Sequence, residues 1–266
     1  MNNEQSYYAR MCATMSDKLS ALEGQVQKGM RVLDFGSGPS DDVYEYVRHF
    51  EANYYALDNS RQVQMLLEEK GIHCIDLAFL KSTDLQFDII FMSSVFHELL
   101  SYLSRNEAAD TMNVVLSRLA ENGKLIIRDW CSPENKTIAK LEVISTKIDE
   151  VKIWVKELSE HAIFLGEVHV EGNTIQASID DLYNILLHVT WGLQSISRES
   201  NESYLVDCTS IKQFILNGNP NIKLVSQRAY YQSDYTNYLS NYFKDVDEFV
   251  KQHHICTKQV LVLQKV

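Results

Sequence analysis

The sequence predicts an α/β protein with a doubly wound, seven-stranded, mostly parallel sheet and a largely helical cap insertion after the fifth strand. Apolar strand-like segments alternate with helical segments between residues 30 and 128, which is typical of parallel sheets. The alternation stops after Trp130 and resumes near residue 205. We therefore expect one domain over residues 1–266, with residues 132–205 as a cap inserted within it.

Composition places the chain among ordinary soluble proteins. Its 266 residues are 45% hydrophobic and 23% charged, and the net charge is −11. No apolar run approaches the roughly 18 residues of a membrane span, and the start of the chain does not resemble a secretory signal. Its five cysteines are scattered, which is typical of reduced thiols. We expect a cytoplasmic protein with no membrane association and no metal site.

The first half contains most of the predicted sheet. A helical pattern over residues 4–28 comes first. The predicted strands are 30–34, 53–57, 72–75, 87–92 and 124–128, and the predicted helices between them are 41–50, 60–70 and 105–120. Ser60 is the expected N-cap of its helix and Gly71 the residue that ends it. The strand 87–92 is apolar throughout, as expected for burial on both faces of a sheet.

The second half predicts the cap and the last strands. The cap is expected to contain a long helix over 136–160, strands within 163–176 and a helix over 180–191. The sheet pattern then resumes with a helix at 210–216, a strand at 222–230, helical residues 233–252 and a strand at 259–263. Because open α/β sheets bind ligands at the carboxyl ends of their strands, we expect the cap to cover that edge.

A glycine turn follows the first strand, with the sequence Asp34-Phe35-Gly36-Ser37-Gly38. Glycines at such a turn let the backbone approach a nucleotide-like ligand closely. The third small residue of a dinucleotide-binding loop is missing, and Asp34, Asp41 and Asp42 would repel a pyrophosphate. The turn therefore favours a ligand that carries positive charge and no phosphate.

Acidic residues end the next two strands as well. Asp58 follows the second strand and Asp76 the third. With the glycine turn, this ordered set resembles the class I (Rossmann-like) S-adenosylmethionine-dependent methyltransferases over about residues 5–130 and, more weakly, 205–266. The resemblance implies that the turn wraps the methionine half of S-adenosylmethionine, that Asp58 binds the ribose and that Asp76 with Leu77 meets the adenine. The implied cofactor-binding residues are Tyr8, Asp34, Phe35, Gly36, Ser37, Gly38, Asp58, Asn59, Asp76, Leu77 and Ser93.

Polar residues after the fourth and fifth strands are the candidates for catalysis. His97 and Glu98 follow the fourth strand, where this family usually performs methyl transfer, and Asp129 ends the fifth. Methyl transfer is an in-line displacement, and a histidine near its ordinary pKa can deprotonate an acceptor. A structural role for His97 is the alternative. Asp129 is expected either to orient the acceptor or, preferably, to pair with Arg128.

If the protein is a methyltransferase, we expect its methyl acceptor to be a small molecule or another modest-sized group. The sequences that hold an exocyclic amine or attack a pyrimidine are absent after the fourth strand, although Cys131 leaves a minor possibility of an RNA cytosine enzyme. A nucleic-acid methyltransferase stays open but is disfavoured by the net charge. A non-catalytic S-adenosylmethionine-binding or scaffold protein is a second hypothesis, and a nicotinamide-dependent dehydrogenase is a less favoured third.

Aromatic residues of the cap form a stripe at helical spacing, namely Tyr183, His188 and Trp191. They are expected either to line an acceptor pocket or, as is more common for such a stripe, to pack in a core. The identity of the acceptor depends on this segment, for which the resemblance offers no guide.

Overall fold

The structure is a computed structural model that describes residues 15–206 and 208–266. The chain divides into two compact units. We call the first the core unit; it contains the described residues up to Asp129, Thr209–Arg228 and Gln259–Val266. The second unit contains Trp130–Cys208 and Ala229–Lys258.

A seven-stranded sheet forms the centre of the core unit. In chain order its strands are β1 (Arg31–Phe35), β2 (Asn53–Leu57), β3 (Cys74–Ile75), β4 (Phe87–Ser93), β5 (Leu119–Trp130), β9 (Ile222–Tyr230) and β10 (Lys258–Lys265). Their order across the sheet is β3-β2-β1-β4-β5-β10-β9. Strands β1 to β5 pair in parallel, so their carboxyl ends share one edge. The order reverses between β1 and β4, where ligands of open α/β sheets bind.

Helices connect these strands. They are α1 (Met15–Ser20), α2 (Asp42–His49), α3 (Arg61–Glu69), α4 (Leu77–Ser82), α5 (Phe96–Tyr102), α6 (Arg105–Ser117) and α10 (Cys208–Leu216). Helix α2 buries Val43 and Val47, which lie four residues apart on one face. Local sequence fixes the start of α3, because the Ser60 side chain accepts a hydrogen bond from the amide of Val63.

Strand β4 lies in the middle of the sheet and is the most apolar part of it. Phe87, Ile90 and Phe91 are completely buried, and Met92 is as well. Burying one such side chain stabilises a fold by roughly 1.5–3 kcal/mol, so this strand contributes strongly to the core. The buried strand also holds the residues that follow it in a fixed position at the carboxyl edge.

Strand β9 is the outer strand on one side of the sheet. Most of its residues are exposed, including Lys223, Arg228 and Val225, and the last of these is 49% exposed. No other strand among the described residues pairs with its outer edge.

The second unit has a small antiparallel sheet and several helices. The sheet has the order β6-β8-β7, with β6 at Ile138–Glu142, β7 at His169–Glu171 and β8 at Thr174–Ser178. The helices are α7 (Ile148–Glu160), α8 (Ile179–Val189), α9 (Ile196–Glu199), α11 (Ser233–Leu239) and α12 (Val246–Gln252), with 3₁₀ turns at Ser145–Lys147 and Leu193–Ser195. Every residue of α8 is buried, which makes it the central helix of this unit.

The predicted fold class is confirmed, and several element bounds agree closely. Strands 53–57 and 222–230 have the predicted bounds, and the strands expected within residues 163–176 are β7 and β8, the second of which extends to Ser178. Ser60 caps α3 as predicted. No helix in the described part of the chain is long and apolar enough to cross a membrane.

Other elements differ from the prediction. Helix α1 ends at Ser20, and turns follow it, whereas residues 4–28 were expected to be helical; the part before Met15 lies outside the described residues. Strand β5 begins at Leu119 and contains Asn122 in a left-handed conformation, with a register shift against β4. The helices α4 and α5 were not predicted.

The second unit contains the largest departures. The helix predicted over 136–160 begins only at Ile148, because residues 138–142 form strand β6 of the small sheet. The helical stretch 233–252 is split into α11 and α12, and Asp245 has a left-handed conformation immediately before α12. The segment expected to form a largely helical cap therefore contains a three-stranded sheet as well as helices.

Candidate functional site

The glycine turn follows β1 and is held against the end of β2. The amides of Gly36 and Ser37 both donate to the carbonyl of Leu57, at 2.7 and 3.1 Å. Gly36 has a φ of +76°, and a Cβ there would lie 2.2 Å from a methyl carbon of Val95. Only glycine fits this position without movement of the backbone or of Val95. The turn is thus tightly packed between β2 and the segment that follows β4.

Asp34 lies at the base of the turn and is completely buried. Its Oδ2 atom accepts a hydrogen bond from the Tyr54 hydroxyl at 3.0 Å, and Lys18 Nζ lies 3.7 Å from the same oxygen. Burial raises the pKa of Asp34, while Lys18 and the Tyr54 hydrogen bond act in the opposite direction. Burial also raises the pKa of the Tyr54 hydroxyl well above its usual range, so the phenol stays protonated and donates.

Two buried polar atoms of the turn have no hydrogen-bond partner within the described part of the chain. They are the Oδ1 atom of Asp34 and the hydroxyl of Ser37. Buried polar atoms are normally hydrogen-bonded, so these two atoms leave hydrogen-bonding capacity unused at the turn. An ammonium group is the natural partner of a carboxylate oxygen in such a position.

Asp58 joins the end of β2 to the turn. Its Oδ2 atom accepts from the amide of Gly38 at 3.0 Å, and its Oδ1 atom accepts from the amide of Ser60 at 2.8 Å. Each carboxylate oxygen has a second lone pair, so these bonds leave capacity for hydroxyl donors. The carboxylate is fixed in position by two backbone amides.

A cavity of about 420 Å³ opens beside these residues in the core unit. Six of the predicted site residues line it, namely Phe35, Gly36, Asp58, Asn59, Leu77 and Glu98. Of its charged lining residues, Asp58, Glu98, Glu107 and Asp110 are acidic and Lys81 is basic. The excess of carboxylates disfavours a phosphate-bearing ligand.

The remaining predicted cofactor residues lie in other positions. Asp76 caps α4 by accepting from the amide of Phe79 at 2.6 Å, and it lines a separate hollow next to Cys74. The hydroxyl of Ser93 accepts a hydrogen bond from Arg128 at 3.2 Å. Tyr8 lies outside the described residues.

His97 and Asp129 form a buried pair at the ends of β4 and β5. The Nδ1 atom of His97 lies 2.8 Å from Asp129 Oδ1, and the His97 amide donates to Asp129 Oδ2 at 3.1 Å. Both side chains are almost completely buried. The carboxylate therefore contacts the imidazole through one oxygen and the His97 backbone through the other, and it favours the tautomer with a proton on Nδ1.

The preferred pairing of Asp129 with Arg128 is wrong. Arg128 instead binds Asp17 of α1, with its Nε atom 2.9 Å from Asp17 Oδ2 and its Nη2 atom in contact with the same oxygen. Adjacent residues of a strand point to opposite faces of the sheet, so Arg128 and Asp129 reach different partners.

Sequence reasoning missed Lys18 and Tyr54, both of which contact Asp34. Tyr54 lies two residues before Ala56, which is opposite Asp34 in the parallel pair β1–β2, so strand pairing offered a weak signal for it. Lys18 carried no such signal, since its position depends on how α1 packs in the fold.

The aromatic stripe of the second unit forms part of a core. Tyr183 and His188 are buried, and the Tyr183 hydroxyl donates to the carbonyl of Thr257 at 3.3 Å. His188 stacks on Tyr204 with ring centroids 4.3 Å apart. Its Nδ1 atom lies 2.7 Å from the carbonyl of Asn184, yet burial lowers the pKa of His188 to about 4.

The strand order, the glycine turn and the acidic residues at strand ends together define the fold of the class I S-adenosylmethionine-dependent methyltransferases. Solved structures of such proteins match the chain over nearly its whole length, and the predicted resemblance is confirmed at the level of the fold. No family model matches the chain, and no curated protein matches it in sequence.

Three solved structures illustrate this similarity. A putative methyltransferase from Haloferax volcanii, solved in complex with the Trm112 methyltransferase activator, has a TM-score of 0.56 and 11% identity, with 98% of this chain and 96% of that chain covered. The cyclopropane synthase MmaA2 from Mycobacterium tuberculosis has a TM-score of 0.51 and 13% identity, with 95% and 84% covered. The mycolic acid cyclopropane synthase CmaA1, complexed with SAH and CTAB, has a TM-score of 0.51 and 12% identity, with 96% and 85% covered.

Proposed function

We propose that this protein is an S-adenosylmethionine-dependent methyltransferase that transfers a methyl group to a small-molecule or other modest-sized acceptor. The observation that carries the proposal is the buried carboxylate of Asp34, whose Oδ1 atom has no partner among the described residues and belongs to the same turn as an unpartnered Ser37 hydroxyl. A fixed negative charge at a glycine turn is suited to a ligand with an ammonium group and no phosphate.

The residues at the turn fit this cofactor. Asp34 would accept from the ammonium group, and Asp58 would accept from the ribose hydroxyls with the lone pairs that Gly38 and Ser60 leave available. Leu77 lines the cavity at the start of α4, where an adenine ring would pack against apolar side chains. Because Asp76 already caps α4, any role in adenine recognition requires it to accept a second hydrogen bond.

The acidic lining of the cavity supports this cofactor over a nicotinamide dinucleotide. Four carboxylates and one lysine line the cavity, and a pyrophosphate placed there would experience net repulsion. S-adenosylmethionine carries a sulfonium and no phosphate, so the same charges attract it. When bound, it supplies an electrophilic methyl group.

His97, Glu98 and Asp129 are the proposed catalytic residues. With Nδ1 donating to Asp129, the Nε2 atom of His97 is the basic nitrogen of the ring, and a base in that state removes a proton from a hydroxyl or amine acceptor. Asp129 orients the imidazole and stabilises it when it becomes charged. Glu98 lines the cavity and would contact the acceptor or the cofactor.

Calorimetric titration with S-adenosylmethionine and S-adenosylhomocysteine tests the cofactor assignment. Asp58→Ala removes the ribose acceptor and the bond that holds Gly38, so its affinity should fall by about tenfold or more, since a lost hydrogen bond to a charged group costs roughly 1.5–3 kcal/mol. Asp84→Ala, at an exposed aspartate, is the matched control. No binding to the unaltered protein at millimolar ligand would refute the cofactor assignment.

Methyl transfer itself needs a separate measurement. The protein is incubated with methyl-labelled S-adenosylmethionine and fractionated cell extract, and label transfer to a small-molecule fraction is expected. Asp129→Asn keeps the shape of the pair but removes its charge, so transfer should slow while cofactor affinity stays nearly unchanged. Binding without any transfer would support a non-catalytic role, and transfer to RNA would identify a different acceptor class.

A further inference from the structure

Lys18 lies against the glycine turn of the core unit. Its Nζ atom lies 3.7 Å from Asp34 Oδ2 and donates to the carbonyl of Ser37 at 3.3 Å. The Lys18 side chain is 12% exposed and passes over the ring of Phe91, 5.9 Å from its centroid. The ammonium group thus contacts both the acid at the base of the turn and the backbone of the turn itself.

Asp34 is completely buried, so its carboxylate stays charged only where a nearby cation or hydrogen bonds offset the lost solvation. Among the described residues, the groups that influence its charge are Lys18 from α1, Tyr54 from β2 and Asp58 after β2. Tyr54 donates a neutral hydrogen bond, and Asp58 repels a second negative charge. Among these three residues, Lys18 is therefore the one with a positive charge, and it favours the ionised form of Asp34.

The position of Lys18 is fixed by the residue before it. Asp17 binds Arg128 at the end of β5, and the Arg128 side chain is 3% exposed. Arg128 also donates to the hydroxyls of Ser93 and Ser94, at the end of β4 and just after it. Two consecutive residues of α1 thus make ion pairs with the ends of two strands, β1 through Lys18 and β5 through Asp17. We call this pair of contacts the α1 clamp.

We propose that Lys18 is a positioning residue, which the α1 clamp holds in place. It keeps Asp34 charged and holds the Ser37 carbonyl. Lys18 thereby sets the affinity for the cofactor and the pH dependence of that affinity. The predicted effect on cofactor affinity rests on the proposed function. The predicted effect of Lys18 on the charge of Asp34 is independent of that function, since it follows from contacts within the protein.

The direction of the pH effect follows from the burial of Asp34. Burial raises the pKa of Asp34, and the positive charge of Lys18 lowers it. Without that charge, the pKa of Asp34 therefore rises further. A protonated Asp34 no longer attracts an ammonium group. The pH below which cofactor affinity declines therefore moves upward when Lys18 is neutral.

The first experiment compares Lys18→Met, Lys18→Arg and the unaltered protein by titration with S-adenosylhomocysteine from acidic to alkaline pH. Lys18→Met should bind about tenfold or more weakly at neutral pH, in line with the cost of breaking a buried charge pair, and should recover affinity as the pH rises. Lys18→Arg keeps the charge and should stay within a few-fold of the unaltered protein. Lys28→Met removes an exposed lysine that pairs with Glu51 at 2.6 Å, and it should change nothing.

The second experiment follows the Asp34 carboxyl by carbon NMR in the ligand-free protein, with Asp34→Asn used to assign its signal. The midpoint of its titration should move upward in Lys18→Met and stay in place in Lys28→Met. If the midpoint does not move in Lys18→Met, the inference is wrong, whether or not the protein binds the cofactor. The inference is also wrong if the protein binds the cofactor and Lys18→Met leaves the pH profile of affinity unchanged. A moved midpoint in a protein that binds no cofactor supports the counter-ion role and refutes the proposed function.

Discussion

Asp34 and His188 are both completely buried, and burial drives both toward their neutral forms. The pKa of Asp34 is raised, and the pKa of His188 is lowered to about 4. Their neighbours act against this effect. Asp34 has Lys18 within 3.7 Å, and His188 contacts backbone carbonyls and lies near Glu202. Burial outweighs these neighbours at both positions, because both pKa values still shift toward the neutral form.

The low pKa of His188 predicts a loss of stability in acid. The unfolded state binds a proton near pH 6.5 and the folded state only near pH 4, so His188 contributes stability above pH 6.5 that is lost as the pH falls to about 4. A shift of that size corresponds to about 3 kcal/mol in the free energy of unfolding, at about 1.4 kcal/mol per unit. Chemical unfolding at a series of pH values measures this loss.

The comparison for this prediction is His188→Gln, which keeps a hydrogen-bonding side chain and cannot titrate. Between pH 6.5 and 4 its free energy of unfolding should decline less than that of the unaltered protein. His161→Gln, at an exposed histidine that follows α7, serves as the control and should follow the unaltered protein. An equal decline in the free energy of unfolding between pH 6.5 and 4 in all three proteins would contradict the prediction.

Much of the candidate site was visible in the sequence because its residues follow strands. Asp34 and Asp58 were predicted from their positions after apolar segments, and six predicted residues line one cavity. The partners of these residues were not predicted. Lys18 reaches Asp34, and His97 reaches Asp129, only because separate elements meet at one edge of the sheet. Local sequence patterns contain no information on such contacts.

Helix α6 has the most complete capping arrangement among the described helices. The Ser104 hydroxyl accepts from the Glu107 amide, and the Glu107 carboxylate accepts from the Ser104 amide at 2.9 Å. The Ser104 hydroxyl also donates to the Glu107 carboxylate at 2.6 Å, and this bond together with the one from the Ser104 amide lowers the pKa of Glu107. The two reciprocal cap bonds satisfy backbone donors that the first turn of a helix otherwise leaves unpaired.

Replacement of this cap should weaken the protein measurably. Ser104→Ala is expected to lower the free energy of unfolding by about 1 kcal/mol, the usual cost of a lost N-cap, as measured by urea unfolding. Asn113→Ala, at an exposed position inside the same helix, should be neutral or slightly stabilising, because alanine has the higher helix propensity. Equal effects of the two substitutions would show that the cap contributes nothing specific.

The elements that sequence patterns misassigned share a physical cause. Residues 138–142 lie within a segment with helical periodicity, yet they form β6 because Leu141 is buried in the small sheet paired with β8. Pairing with a distant strand overrides local preference. The core-unit strands β2 and β9 were predicted correctly, since their residues read as strands without help from tertiary contacts.

At the scale of the whole molecule, charge limits the choice of partners. The net charge is −11, and the lining of the cavity is also mainly acidic. Nucleic-acid affinity depends on cations that replace the counter-ions of the phosphates. The charge balance therefore supports an acceptor without a phosphate backbone.

This balance predicts weak binding to RNA. Fluorescence polarisation with single-stranded and hairpin RNA at physiological salt should show no saturation at protein concentrations of about 10 µM, because non-specific dissociation constants are already about 1–100 µM for proteins with basic surfaces. A mutant protein with Lys81→Glu should behave the same way, since one lysine cannot provide an RNA-binding surface. Saturable binding in the micromolar range would favour a nucleic-acid acceptor over a small-molecule acceptor.

The exposed outer strand β9 also affects how the protein behaves in concentrated solution. The outer edge of β9 pairs with no other strand in the described part of the chain, and such an edge is a template on which a strand of another molecule can add. The charges of Lys223 and Arg228 oppose such stacking between copies, because like charges would meet when two β9 strands align in parallel register. Chemical modification or neutralisation of these two side chains would turn a charged strand into one that nucleates aggregates.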